Sequence, residues 1–134
     1  MVVKQKSKVL AVADAASVAQ DNEYTAANNT FLNVLETLRK VDSEFPLQYS
    51  ICLAQISMQE GMSLTELANK MDLGLSTVSR IVGALSKYRQ NGNPYGLIEL
   101  KISPEERRKK AIFLTDKGRD VLAQIYKALE SNAN

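Results

Sequence analysis

Ser63-Leu64-Thr65-Glu66 constrains the fold more than any other stretch of this 134-residue sequence. A Ser hydroxyl ahead of a helix accepts from the backbone N–H three residues on, and a Glu at that third position reaches back to the N–H of the Ser. The four residues therefore predict a helix start at Ser63. Leu64, Leu67, Ala68 and Met71 come next at helical spacing and predict one buried face. Asp72-Leu73-Gly74 interrupts the pattern, and Gly74 offers the positive φ that a sharp turn between helices often needs. A second helix is expected over 75–88, with Ser76 as its cap. Val78, Ile81, Val82 and Leu85 stand at i, i+3, i+4 and i+7 and define its apolar side.

The polar side of that second helix carries Ser76, Thr77, Ser79, Arg80, Gly83, Ser86 and Lys87. No acid occurs between Gly74 and Glu99. Short hydroxyls beside one arginine suit a helix entering a DNA major groove, where side chains must reach base edges or clamp a phosphate. On an isolated helix, the same residues would make an ordinary solvated face. The downstream segments change that balance. Arg89 to Gly96 is a loop by its turn chemistry. Leu97 to Ile102 reads as a strand with Ile98, Leu100 and Ile102 on one face, and Lys109 to Leu114 reads as its partner. The loop between them, Ser103 to Arg108, ends in a basic run. A basic run usually marks a solvated tip, but after two such helices it more often meets a phosphate or the minor groove. The predicted fold is mainly α with a small β-hairpin: a helix-turn-helix over 63–88 and a wing over 97–114, together a winged helix. Thr115 is expected to cap a last helix.

These residues resemble the MarR family of bacterial and archaeal transcription regulators. The similarity is carried by Leu64-Thr65-Glu66-Leu67-Ala68, by Leu75-Ser76-Thr77-Val78-Ser79-Arg80-Ile81-Val82, by Gly96-Leu97-Ile98 and by Leu114-Thr115-Asp116-Lys117-Gly118-Arg119. It covers about half of the chain strongly. In the family, an Asp-x-Arg signature precedes the Leu-Thr pair, and here Glu106-Arg107-Arg108 stands at that offset. The resemblance implies that Arg108 enters the minor groove and that Glu106 helps to hold the wing against the motif. Three departures are visible. The loop Arg89–Tyr95 is longer, the wing acid is Glu, and the family continues into a further C-terminal helix whereas this sequence ends at Asn134.

Net charge becomes informative once it is divided. Ser63 to Arg119 holds 11 Lys and Arg against 6 Asp and Glu, a balance of +5, and the remainder holds 6 against 9, a balance of −3. Positive charge collected on the motif is the footprint that phosphate binding requires. With no His and one Cys, metal sites, disulfides and His-based catalysis lose their raw material. No cofactor, metal or catalytic residue is expected, and the chain is not expected to be an enzyme. Cys52 lies in an apolar run and reads as a core residue. No window approaches the roughly 20 apolar residues of a membrane span. Lys4, Lys6 and Lys8 before an Ala/Val-rich stretch faintly resemble a signal peptide, but Asp14 interrupts it. The expected location is the cytoplasm, at the nucleoid.

Residues 1–20 read as a basic, Ala-rich arm or weak helix, capped at Ser7, and 21–134 as one domain. A dimerisation helix is expected over 21–41, with Tyr24, Ala27, Phe31, Val34, Leu35, Leu38 and Val41 as its stripe. Pro46 suits the first position of the next helix, 47–58, which is expected to bury Ile51, Cys52, Ala54 and Ile56. A last dimerisation helix, 115–131, offers Val121, Leu122, Ile125, Tyr126 and Leu129. The predicted function is sequence-specific binding of double-stranded DNA by a homodimer. Ser76, Thr77, Ser79, Arg80 and Lys87 serve the major groove, and Arg107, Arg108, Lys109 and Lys110 form the wing. The alternative is a winged helix for protein interaction, or an architectural DNA binder without a defined operator. Members of the resembled family often bind small aromatic acids between their dimerisation and DNA-binding parts. Tyr24, Phe31, Tyr49 and Tyr126 would then line the cleft, although aromatic residues on helix stripes are more often core.

Overall fold

The computed structural model describes residues 18–89, 92–103 and 105–130. The Ser7 cap and the three lysines of the N-terminal arm lie outside them. Five helices and one hairpin run in the order α1 (Val18–Val41), α2 (Leu47–Met58), α3 (Leu64–Met71), α4 (Leu75–Leu85), β1 (Ile98–Ile102), β2 (Lys110–Leu114) and α5 (Asp116–Glu130). The first described helix already includes Val18, ahead of the expected Asp21.

The capping box forms as its residues dictate. Ser63 Oγ accepts from the Glu66 N–H at 3.2 Å, and a Glu66 carboxylate oxygen accepts from the Ser63 N–H at 3.2 Å. The turn after α3 differs in detail from expectation. Asp72 takes the left-handed conformation at φ 53°, whereas Gly74 is extended at φ −65° and is itself the N-cap of α4. Ser76 therefore sits inside the first turn and not at the cap. The carbonyl of Gly74 accepts from the Val78 N–H at 3.1 Å, so the helix already begins one residue before Ser76.

The second helix of the motif also ends early, at Leu85 instead of Tyr88. Ser86 leaves helical geometry, and three donors then converge on the Gly83 carbonyl: the Ser86 N–H, the Ser86 hydroxyl and the Tyr88 N–H at 2.7 Å. A side chain at position 83 would stand 3.1 Å from the Tyr88 carbonyl oxygen, so Gly83 lets the chain fold back over the helix end. Lys87 consequently belongs to a turn.

The core lies between α2, the α3–α4 pair and the hairpin. Leu53, Ile56, Met62, Leu67, Val78, Ile81, Val82, Leu85, Leu97, Ile98 and Ile112 are almost fully buried. In α2, the buried set is Cys52, Leu53 and Ile56, with Tyr49 packed against it. Residues 49, 52, 53 and 56 share one helical face, which turns Ile51 and Ala54 outward and corrects the expected pair. Pro46 is the N-cap of α2, one place before the expected N1.

Two antiparallel strands form the wing, pairing Ile98 with Leu114, Leu100 with Ile112 and Ile102 with Lys110. Ile98 is buried and Leu100 packs against the core, but Ile102 is exposed because the ribbon has by then run past the domain body. The chain before α3 adds a further rung, on β2: the Ile112 N–H donates to the Met62 carbonyl at 3.0 Å and the Gly61 N–H donates to the Ile112 carbonyl at 2.7 Å. This rung ties the wing to the start of α3. Thr115 caps α5 as expected, its hydroxyl accepting from the Gly118 N–H at 3.1 Å and donating to the Gly96 carbonyl at 2.6 Å. Helix α1 packs along α5. Tyr24, Phe31 and Leu35 of α1 and Tyr126 and Leu129 of α5 remain exposed.

Candidate nucleic-acid interface

Burial of Val78, Ile81, Val82 and Leu85 leaves the opposite side of α4 no choice but solvent. Ser76, Ser79 and Arg80 are exposed, Thr77 is half-buried, and Lys87 is exposed in the turn beyond. The spacing of 76, 79 and 80 places these three on one face. A groove of about 1030 Å³ runs beside them, lined by Ser76, Ser79, Arg80, Gly83, Lys87 and Arg89 and reaching Leu100 of β1. Its charged lining residues, Arg80, Lys87 and Arg89, are all cationic, a lining that suits an anionic partner.

Arg107, Arg108, Lys109 and Lys110 are all exposed on the wing. Lys109 pairs with Glu106 at 3.3 Å, so the wing acid engages a neighbour within its own loop. Among the described residues, Arg80, Lys87, Arg107, Arg108 and Lys110 have no ion-pair partner. The wing loop also flanks the start of α3, where Ser103, Glu106, Lys109 and Lys110 share a small cleft with Ser63 and Glu66.

Sequence reasoning missed two acids that hold this frame together. Glu60 accepts from the Leu114 N–H at 2.9 Å and takes both arms of the Arg119 guanidinium. The Arg119 bonds, and after them the Leu114 N–H, hold its carboxyl below the usual value. Asp42, just past the end of α1, accepts from the Tyr95 hydroxyl at 2.6 Å and from the Glu44 N–H at 2.9 Å, with Arg89 at 3.6 Å. Those bonds, with Tyr95 the largest influence, lower its pKa too. Tyr95 itself is buried, and desolvation together with the bond to Asp42 pushes its hydroxyl up to about 12. No local pattern announces either acid, because their partners lie more than 50 residues away.

Of the four aromatic residues proposed to line an effector cleft, Tyr49 borders the groove beside α4, packed edge-on to Phe45 and Tyr95. Tyr24, Phe31 and Tyr126 are instead exposed on α1 and α5. Among the described residues, no group of three or more His, Cys, Asp or Glu could hold a metal ion, and no helix is long and apolar enough to cross a membrane.

Element order, capped motif and hairpin define a winged helix-turn-helix protein. No protein-family model matches the chain, and no curated protein does. Solved structures do match. The transcriptional repressor CouR, bound to a 23-mer DNA duplex, is 26% identical over 83% of this chain and 72% of its own, with a TM-score of 0.55. The S. aureus MepR–DNA complex is 16% identical over 84% and 80%, with a TM-score of 0.59. MarR is 20% identical over 87% and 79%, with a TM-score of 0.55. The chain has the winged-helix fold of the MarR-type regulators.

Proposed function

We propose that this chain is a MarR-family transcription regulator that binds double-stranded DNA as a homodimer. One observation carries the reading: a single cationic groove borders the exposed, acid-free face of α4 and reaches the wing strand, so one duplex could meet both elements. Helix α4 then enters the major groove with Ser76, Thr77, Ser79 and Arg80, while Lys87 reaches the flanking backbone. The wing places Arg107 and Arg108 at the minor groove, with Lys109 and Lys110 on phosphates. The exposed apolar side chains of α1 and α5 supply the subunit contact, which makes these the dimerisation helices and 21–134 one functional domain. The DNA bound by CouR and MepR supports the same partner.

Selection of bound duplexes from a random library tests the proposal. A two-fold operator is expected, its half-sites about one helical turn or a multiple apart. Recovery of random sequence would favour an architectural binder, and absence of any DNA binding would favour a protein-interaction module.

A further inference from the structure

We propose that Asp42, Tyr95 and Arg89 form the joint that fixes the recognition helix against the end of α1, and so sets the half-site spacing that a bound dimer accepts. This rests on the dimeric DNA-binding reading above.

Tyr95 is the meeting point of four segments. Its N–H donates to the Ala84 carbonyl at the end of α4 at 3.0 Å, and its own carbonyl accepts from Lys117 of α5 at 2.9 Å. The ring stands edge-on to Phe45 at 5.0 Å and to Tyr49 at 6.1 Å, which joins it to the α1–α2 corner. Arg89 lies over the same ring at 4.6 Å from its centroid and anchors itself through the Asn93 carbonyl at 3.2 Å. The hydroxyl then reaches Asp42.

An acid one residue beyond a helix C-terminus faces the negative end of the helix dipole, so Asp42 is badly placed for the stability of α1 alone. Its partners lie across the joint. Apolar rings can slide past one another, whereas a short bond from a hydroxyl to a carboxylate is directional and charge-assisted. The cluster therefore does more than fill space: it selects one rotation of α4 relative to α1. In a dimer, a small rotation at this joint becomes a translation of the reading end of α4, from Ser76 to Arg80, about two turns from Ala84 at the other end of the helix.

Tyr95→Phe tests this most cleanly because it keeps the ring cluster and deletes only the bond to Asp42. Asp42→Asn is the companion variant. Wild type, Tyr95→Phe and Asp42→Asn would be titrated with the duplex recovered by selection, with that duplex lengthened or shortened by one base pair between half-sites, and with an isolated half-site. Wild type is expected to lose about tenfold in affinity on either spacing change. The variants should lose less than about threefold, while half-site affinity stays within about twofold of wild type. An unchanged spacing profile in both variants overturns the joint. So does a fall in half-site affinity equal to the fall on the full duplex, since that marks simple loss of structure. A wild type that binds DNA without any spacing dependence overturns the dimeric reading itself.

Discussion

Arg119 on α5 forks onto Glu60, 59 residues earlier in the chain, with Nη1 donating to Oε2 at 2.9 Å and Nη2 to Oε1 at 2.8 Å. The same Oε1 accepts from the Leu114 N–H, so one carboxylate closes the wing strand, the last helix and the end of α2 into a single unit.

Glu60→Ala should destabilise the domain by about 1–2 kcal/mol, because it strands the Leu114 N–H as well as the guanidinium. Glu60→Gln should cost less, since an amide oxygen still serves Leu114. Urea unfolding at neutral pH measures both. The pH dependence has a definite sign. Glu60 and Asp42 both titrate below their ordinary values of 4.5 and 3.8 in the folded state, so their stabilising contribution is present at neutral pH. It is lost as pH falls from about 5 through the folded pKa values, as the unfolded chain takes up protons first. Wild type should therefore lose urea resistance across that range more steeply than Glu60→Gln.

Gly118 lies against the backbone of Leu97. A Cβ added there would sit 2.1 Å from the Leu97 carbonyl oxygen, and that oxygen already accepts from the Thr115 N–H at 3.0 Å. Backbone cannot give way as a side-chain tip can. Gly118→Ala should cost about 3 kcal/mol or more or prevent folding, whereas Gly74→Ala, which meets nothing within 4 Å, should change little. Expression yield and urea midpoints of the two variants decide this.

Cys52 is fully buried, and desolvation raises its thiol to about 12. The thiolate is the reactive form, so at pH 8 the folded protein should resist a thiol reagent and react at the ordinary rate once unfolded. Rapid labelling of the native protein, detected by mass spectrometry, would contradict that placement.

Arg80 and the wing lysines should separate by the part of the duplex each one reads. Arg80→Ala is expected to flatten discrimination among duplexes by about 1–3 kcal/mol, if its guanidinium contacts a base edge. Lys109→Ala and Lys110→Ala should weaken all duplexes alike and reduce the salt slope by about one each. Titrations on selected and random duplexes across salt concentrations distinguish the two patterns. An Arg80→Ala protein with full sequence preference would remove α4 from the role of reader.

The capping box, the α4 stripe and the Thr115 cap were all legible because each is a local rule, satisfied within a few residues. The outward face of α4 came with them: once Val78, Ile81, Val82 and Leu85 are buried, Arg80 must be exposed. Helix ends were less legible. Gly74 looked like the turn residue and Ser76 like the cap, yet Asp72 took the left-handed position and Gly74 the cap. Either arrangement satisfies the local chemistry, and the packing of α3 on α4 selects between them.

Sequence alone determined the order of elements and where the charge would collect, since periodicity, capping and turn chemistry act over short distances. It also placed Ser76, Ser79 and Arg80 on one exposed face. Tertiary structure alone decided that Glu60 would bind Arg119, that Asp42 would hold Tyr95, and that Gly118 would have to remain bare against Leu97. Each of those depends on segments far apart in the chain meeting at a few ångströms, and no periodicity in the sequence encodes such a meeting.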